Sequence, residues 1–454
     1  MIIGMCIRSI LFEASNSTFK YCKPLILFIG VALTAAACMN QPPQNSTSVN
    51  TTTTSNNSNV STKTNTNGAQ PAIPANDSVT LPVLDAMFAD EEFATDLKAK
   101  LGLTDEQIQK IEEASRNAVL SLDEADENTS TKKSVAKAND DIKKIVGDDK
   151  ARQLFELVRQ RWSGSDQVMA LTGRPNNVPT DSRIVINAPA YRMDVYRDGK
   201  LEHSYKVGIG YPEFPLPHGL RQAKTIIFNP TWTPPDEPWV KGKFAPGKKV
   251  DAGSKDNPLG PIKIPIGLPS LIHGGKNPAK LGTFASHGCV GLTNQGIEIF
   301  APELAALGGN QLTIADIKNY QKDRSKTDEL KLTNPVPVEL RYETIVVENG
   351  QVHVYRDVYE LGTNTEDNLR KVLSVYDMNY DDLDRSVKDQ LLQALQSMAV
   401  DAHGDPVTEN DPQNTNSKPK KGKITTTIKG QKEVVIRVPQ LAGKGYPAPV
   451  NLVG

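Results

Sequence analysis

The stretch Ile272–Asn294, IHGGKNPAKLGTFASHGCVGLTN, decides how this chain is read. It carries Cys289 and two of the chain's six histidines, His273 and His287. The other cysteines, Cys6, Cys22 and Cys38, all lie in the first 38 residues. If that region serves export, Cys289 is a thiol with no partner for an internal disulfide. A free cysteine is most often a small buried hydrophobe. The residues before it, Ser286-His287-Gly288, are polar and flexible instead, unlike a core strand.

A thiol becomes a working nucleophile when a neighbour generates or stabilises its thiolate. Histidine suits that task because it exchanges protons near neutrality. His287 stands two residues before Cys289, and on an extended segment the two share a face. His273 stands sixteen positions upstream, far enough to sit on a neighbouring strand or loop and point back. Gly274 and Gly275 allow a sharp turn after it and offer a carbonyl to the ring. Gly288 suits a tight turn whose N–H groups face a developing oxyanion.

His273-Gly274, followed after Ala285 by Ser286-His287-Gly288-Cys289, resembles the signature of the L,D-transpeptidase catalytic domain of YkuD type. The resemblance covers about Ser182 to Ile317. It implies that Cys289 is the acyl-accepting nucleophile, that His273 is its base, and that the Gly274 carbonyl orients the ring. It implies an oxyanion hole from Ser286, His287 and Gly288 together with the Cys289 backbone. It also implies a largely β catalytic domain, no cofactor, no metal, and acylation by carbapenems. One position departs from the pattern: Gly291 stands where many members carry arginine or asparagine.

The rest of the chain reads as an exported, multi-part protein. Its 52 basic and 53 acidic residues nearly cancel, which gives no argument for nucleic acid. Lys20 and Lys23 precede the apolar run Pro24–Ala37, which is short for a membrane span and ends in small residues before Cys38. This resembles a lipoprotein signal over residues 1–38, with lipidation at Cys38 and a place in the periplasm or cell envelope. An uncleaved anchor is the alternative. Residues 39–80, rich in Asn, Ser, Thr and Gln, read as a disordered tether.

Residues 81–165 read as a helical module, with Thr104–Gln107 as a capping box and Ile108, Ile111, Ala114 and Val119 as an apolar stripe. Residues 181–318 read as the catalytic domain. Asp198-Gly199 marks a hairpin, and a proline-rich wall with Trp232 and Trp239 follows. Lys224–Phe228 reads as a short strand, Gln311–Ile314 as another, and Asn294–Leu307 as a helix. Residues 319–400 read as a β-hairpin around Asn349-Gly350 plus helices, residues 401–423 as a linker, and 424–454 as a β element with a strand pair around Gly430. The expected class is α+β: a mainly β, sandwich-like catalytic domain between a helical module and a C-terminal extension.

Three functions compete on these residues. The resemblance implies acyl transfer on peptidoglycan tetrapeptide stems: D-alanine is released, and a 3–3 crosslink or another amide forms. With water as acceptor the same chemistry is an L,D-carboxypeptidase. A zinc centre of His273, His287 and Cys289 with an open position is a second arrangement, although no further cysteine or carboxylate cluster stands near it. A non-catalytic wall-binding lipoprotein is the third, and it leaves the Cys–His pair without a role.

Overall fold

The computed structural model describes residues 79–88, 90–122, 130–163, 174–234, 248–267, 269–407 and 426–454. The signal, Cys38, nearly all of the tether, and Trp239 lie outside these residues. Among the described residues no helix is long and apolar enough to cross a membrane.

Helices come first: α1 Leu81–Met87, α2 Glu91–Leu101, α3 Asp105–Leu120, α4 Thr131–Val146 and α5 Asp148–Ser163. Thr104 caps α3 through the reciprocal box with Gln107. The buried stripe of α3 is Ile108, Ile111, Ser115 and Val119. It includes Ser115 in place of the expected Ala114, because positions four apart share one face. Val79 and Thr80, read as tether, are buried, and the Thr80 hydroxyl accepts from the Val83 N–H to cap α1.

The chain after the helices is built on an eight-stranded sheet. Its strands are β1 Arg183–Asn187, β2 Arg192–Arg197, β3 Lys200–Lys206, β5 Gly219–Phe228, β6 Ile262–Pro265, β7 Leu271–His273, β9 Val290–Gly291 and β10 Asp328–Arg341. Their order is β3-β2-β1-β10-β5-β6-β7-β9. Two short strands, β4 Ile209–Gly210 and β8 Phe284–Ser286, pair in parallel beside it. The β2–β3 turn has Asp198 at φ 47° and Gly199 at φ 78°, so both central residues are left-handed, as a type I′ hairpin requires.

β10 enters the middle of the sheet, parallel to β1 (Ile184↔Val338) and antiparallel to β5. β5 is twice the length expected from its sequence because β10 supplies a partner along most of it. Helix α6, Asn294–Leu307, is capped by the Thr293 hydroxyl, which accepts from the Gly296 N–H at 2.9 Å. It buries Ile297, Phe300 and Leu304 against the sheet. Full burial of each such side chain stabilises by about 1.5–3 kcal/mol.

Gln311–Ile314 is not a strand. Thr313 and Asp316 form a capping box that starts α7, Ile314–Tyr320, and a capping box outweighs a short apolar alternation.

The C-terminal lobe holds β11 Ile345–Glu348, β12 Gln351–Tyr355, α8 Glu366–Ser374, α9 Arg385–Met398 and β13 Glu433–Arg437. Asn349 and Gly350, at φ 46° and 77°, form the β11–β12 turn. The expected strand pair around Gly430 is, among described residues, the single strand β13, which pairs with β12 instead. The class is α+β, and its mainly β part carries the site.

Candidate active site

Three strands set the geometry. β6 pairs with β7 so that Lys263 lies opposite His273, and β7 pairs in parallel with β9 so that His273 lies opposite Gly291. The neighbouring row, Ile264–Ile272–Val290, is fully buried in the core. Side chains alternate across a sheet, so Lys263, His273 and the Cα of Gly291 share the face away from that core. Cys289 stands two positions before Gly291 and returns to the same face. At the usual strand spacing and rise, the Cα atoms of His273 and Cys289 are roughly 8 Å apart, a gap two side chains can bridge. The register therefore places Cys289, in the turn just before β9, on the side of the sheet that His273 faces.

His273 is 3% exposed, and its Nδ1 lies 2.7 Å from the Gly274 carbonyl oxygen. A carbonyl only accepts, so Nδ1 carries the proton and Nε2 keeps its lone pair. Burial, aided by the Lys276 charge, lowers the His273 pKa to about 3. The ring is neutral at pH 7 and able to take a proton.

The Cys289 turn is held from within. The Ser286 hydroxyl donates to the Cys289 carbonyl and accepts from the Cys289 N–H at 3.0 Å. Of the groups expected to line an oxyanion hole, the Cys289 N–H donates to Ser286 in this structure. Gly288, at φ 84°, adopts the left-handed backbone that lets the turn close. No acceptor among the described residues takes its N–H.

His287, the other candidate base, packs edge-on against Tyr211 and Phe214 with ring centroids 4.9 Å away in each case. Burial lowers its pKa to about 3 as well. It fills an aromatic slot, where an edge-to-face ring is favourable, and supports the turn by packing. Among the described residues no three His, Cys, Asp or Glu side chains are placed to hold a metal.

The thiol of Cys289 is partly exposed. Burial raises its pKa above the ordinary thiol range, while a backbone hydrogen bond from Leu271 and the charges of Lys276, Arg221 and Lys263 pull the other way. Burial wins, so the resting group is the thiol and it needs a base. Sequence reasoning missed these three cations. Lys263 alternates with Ile262 and Ile264, which reads as an ordinary solvent-facing strand position. Tyr211 and Phe214 were missed too, since they lie on a loop.

The helical module reaches that loop. The Thr80 hydroxyl donates to the Glu213 carbonyl at 2.6 Å, and the Thr131 hydroxyl donates to the Pro212 carbonyl at 2.8 Å. Glu360 accepts from the Ser130 hydroxyl and from the Thr131 N–H, which caps α4 from the catalytic side. Leu122 packs on Phe214. His218 lies elsewhere: it lines a cavity of about 360 Å³ with Arg341, Tyr342 and Lys371, and neither Cys289 nor His273 borders it.

YqjB of Bacillus subtilis (strain 168), provisionally named an L,D-transpeptidase, is 23% identical over 170 residues, covering 36% of this chain and 89% of its own. The catalytic domain of the E. faecium L,D-transpeptidase is 15% identical, with 36% of this chain and 100% of that one covered and a TM-score of 0.21. An L,D-transpeptidase from Mycobacterium smegmatis is 15% identical, with 36% and 58% covered and a TM-score of 0.22. The chain spans about half the length of the first solved structures it matches, 49% and 50%. Residues 181–322, less than half of the chain, match the family model described as YkuD, L,D-transpeptidase catalytic domain.

Proposed function

We propose that this chain is a peptidoglycan L,D-transpeptidase acting through Cys289. His273 Nε2 takes the thiol proton as Sγ attacks the carbonyl between the third residue of a tetrapeptide stem and its terminal D-alanine. The Gly288 N–H faces the oxyanion that develops. The C–N bond breaks, the proton on His273 passes to the departing amine, and a thioester to Cys289 remains. An amine of a second stem attacks the thioester, gives its proton back through His273, and frees the thiol. That product is a 3–3 crosslink or another amide; water in place of the amine gives L,D-carboxypeptidase activity. The steps need no group beyond those of the chain and its substrates.

The observation that carries this reading is the shared sheet face of His273 and Cys289, with Nδ1 tied to the Gly274 carbonyl. The run before Cys38 supports a further part of the proposal, that the chain is exported and lipid-anchored there. The test is incubation of the purified protein with defined muropeptides and identification of products by mass spectrometry. Crosslinked dimers and released D-alanine are expected, both lost in Cys289→Ala. A carbapenem is expected to add covalently at Cys289. A folded sample that forms neither product nor adduct would count against the proposal.

A further inference from the structure

The face that carries Cys289 and His273 is also the face of two lysines. Lys263 sits directly opposite His273 on β6. On the other side of His273, at Gly291, there is no side chain. A Cβ built there would lie 2.7 Å from both Cγ and Cε of Lys276. The Lys276 stem therefore lies flat over Gly291, on the catalytic face, in the space a side chain at 291 would claim. Its backbone is pinned beside β9, with its N–H donating to the Leu292 carbonyl at 3.0 Å. His273 is thus bracketed by two ammonium-bearing side chains.

Neither lysine has an acidic partner among the described residues. The charged and titratable groups that face Lys276 are Cys289, Lys280 and the two imidazoles His273 and His287, and Lys263 faces Cys289. Those that face Cys289 are Lys276, Arg221 and Lys263. Arg221 is held back by the Ile266 and Gly267 carbonyls, at 3.3 and 3.0 Å. Both lysines are half-buried, and burial lowers both ammonium pKa values. A cation withdrawn from water without a counter-ion costs free energy until an anion arrives.

The thiolate is not the whole answer. Moving a proton from Cys289 to His273 leaves the net charge unchanged. What Lys276 gains on the thiolate it loses on the imidazolium, and it already disfavours protonated His273. Its charge is left to serve an added anion. On the proposed reaction, the residue that leaves carries a carboxylate one carbon from the nitrogen of the broken bond.

We propose that Lys276 and Lys263 form a carboxylate-binding subsite beside Cys289 that takes the free C-terminal carboxylate of the departing residue. This rests on the transpeptidase reading for the identity of the peptide. The subsite selects stems that end in a free acid at that position. An amide there leaves both ammonium groups unpaired.

The test uses the full chain with Cys289→Ala, which stops turnover, and calorimetric titration with a tetrapeptide stem and with its C-terminal carboxamide. The acid should bind about tenfold tighter or better than the amide, the scale of one charge-assisted contact. Adding Lys276→Met should collapse that ratio toward one, Lys276→Arg should keep most of it, and Lys263→Met should reduce it in part. Thermal melts establish that each variant is folded. Equal affinity for acid and amide overturns the subsite, as does a preference that survives loss of both lysines, or no binding of either peptide at millimolar concentration. Turnover by the unaltered protein separates the two claims. Release of D-alanine with no acid preference sinks the subsite alone. An acid preference with no turnover and no acylation of Cys289 sinks the reaction and leaves a carboxylate-peptide site.

Discussion

The imidazole Nδ1 of His273 lies 2.7 Å from the carbonyl oxygen of Gly274, the next residue in the chain. That short link fixes the tautomer, and burial keeps the ring neutral, with its pKa lowered to about 3. The Cys289 thiol is pushed the opposite way, upward. Base and thiol therefore both rest uncharged at neutral pH. Alkylation of Cys289 by iodoacetamide, which needs the thiolate, should rise with pH through a midpoint above the ordinary thiol value of about 8.5. A midpoint near 6 would mean a resting thiolate–imidazolium pair and would contradict this electrostatic picture. His273→Gln should abolish peptide turnover and leave that alkylation profile nearly intact.

Ser286 spans both main-chain groups of Cys289. Ser286→Ala removes both hydrogen bonds and leaves the Cys289 N–H without its acceptor, at a cost of about 1–3 kcal/mol. The turn should loosen. We expect kcat to fall by roughly 10- to 1000-fold, the range for disturbing an oxyanion site, while iodoacetamide still modifies the thiol. Steady-state kinetics on a muropeptide beside a thermal melt would check both parts.

Two glycines near the thiol should respond differently to alanine. At Gly288 the nearest atom to an added Cβ is 3.8 Å away, so the cost is the left-handed backbone alone, about 1–2 kcal/mol. At Gly210 an added Cβ would lie 2.0 Å from the Phe214 carbonyl oxygen and 3.2 Å from the Gly288 backbone. Gly210→Ala must displace the loop that holds His287. Chemical denaturation should show the larger loss for Gly210→Ala, and the reverse order would mean the loop yields easily.

Glu360 joins the helical module to the catalytic region, and burial raises its pKa to about 7. A carboxyl raised on folding binds its proton more tightly in the folded state. Stability from this group is therefore present at low pH and declines as pH climbs from about 4.5 toward 7. Glu360→Gln should remove that decline. The melting temperature of the variant relative to the parent should rise between pH 5 and pH 8. A difference that stays flat with pH would show that Glu360 titrates as an ordinary carboxyl.

What the sequence discloses depends on how local the determinant is. Asp198-Gly199 and Asn349-Gly350 name their turns because only such residues accept the φ values found there. Thr104 and Gln107 announce a helix start within four residues. Pairing between remote strands has no such local mark. Nothing in the sequence of Asp328–Arg341 says that it forms one long strand or that it lies beside β1. The site divides in the same way. His273 and the Ser286–Cys289 run stand out by chemistry, whereas Lys263 and Lys276 become visible only once three strands are aligned. Polar residues alternating with apolar ones look like solvent-facing positions whether the face meets water or a substrate.

The position of β10 has a consequence for how the molecule is assembled in time. The sheet needs this strand at its centre, between β1 and β5, yet it is the last of its strands to emerge in the chain. Until residues 328–341 are present, β1 and β5 each lack a neighbour. A fragment cut at residue 322, where the family match stops, would carry Cys289 and His273 but hold two separate half-sheets with open edges. Closing them joins residues more than a hundred positions apart, a late and slow event. The proposed pair of Cys289 and His273 would then be ordered only after the whole central layer has been made.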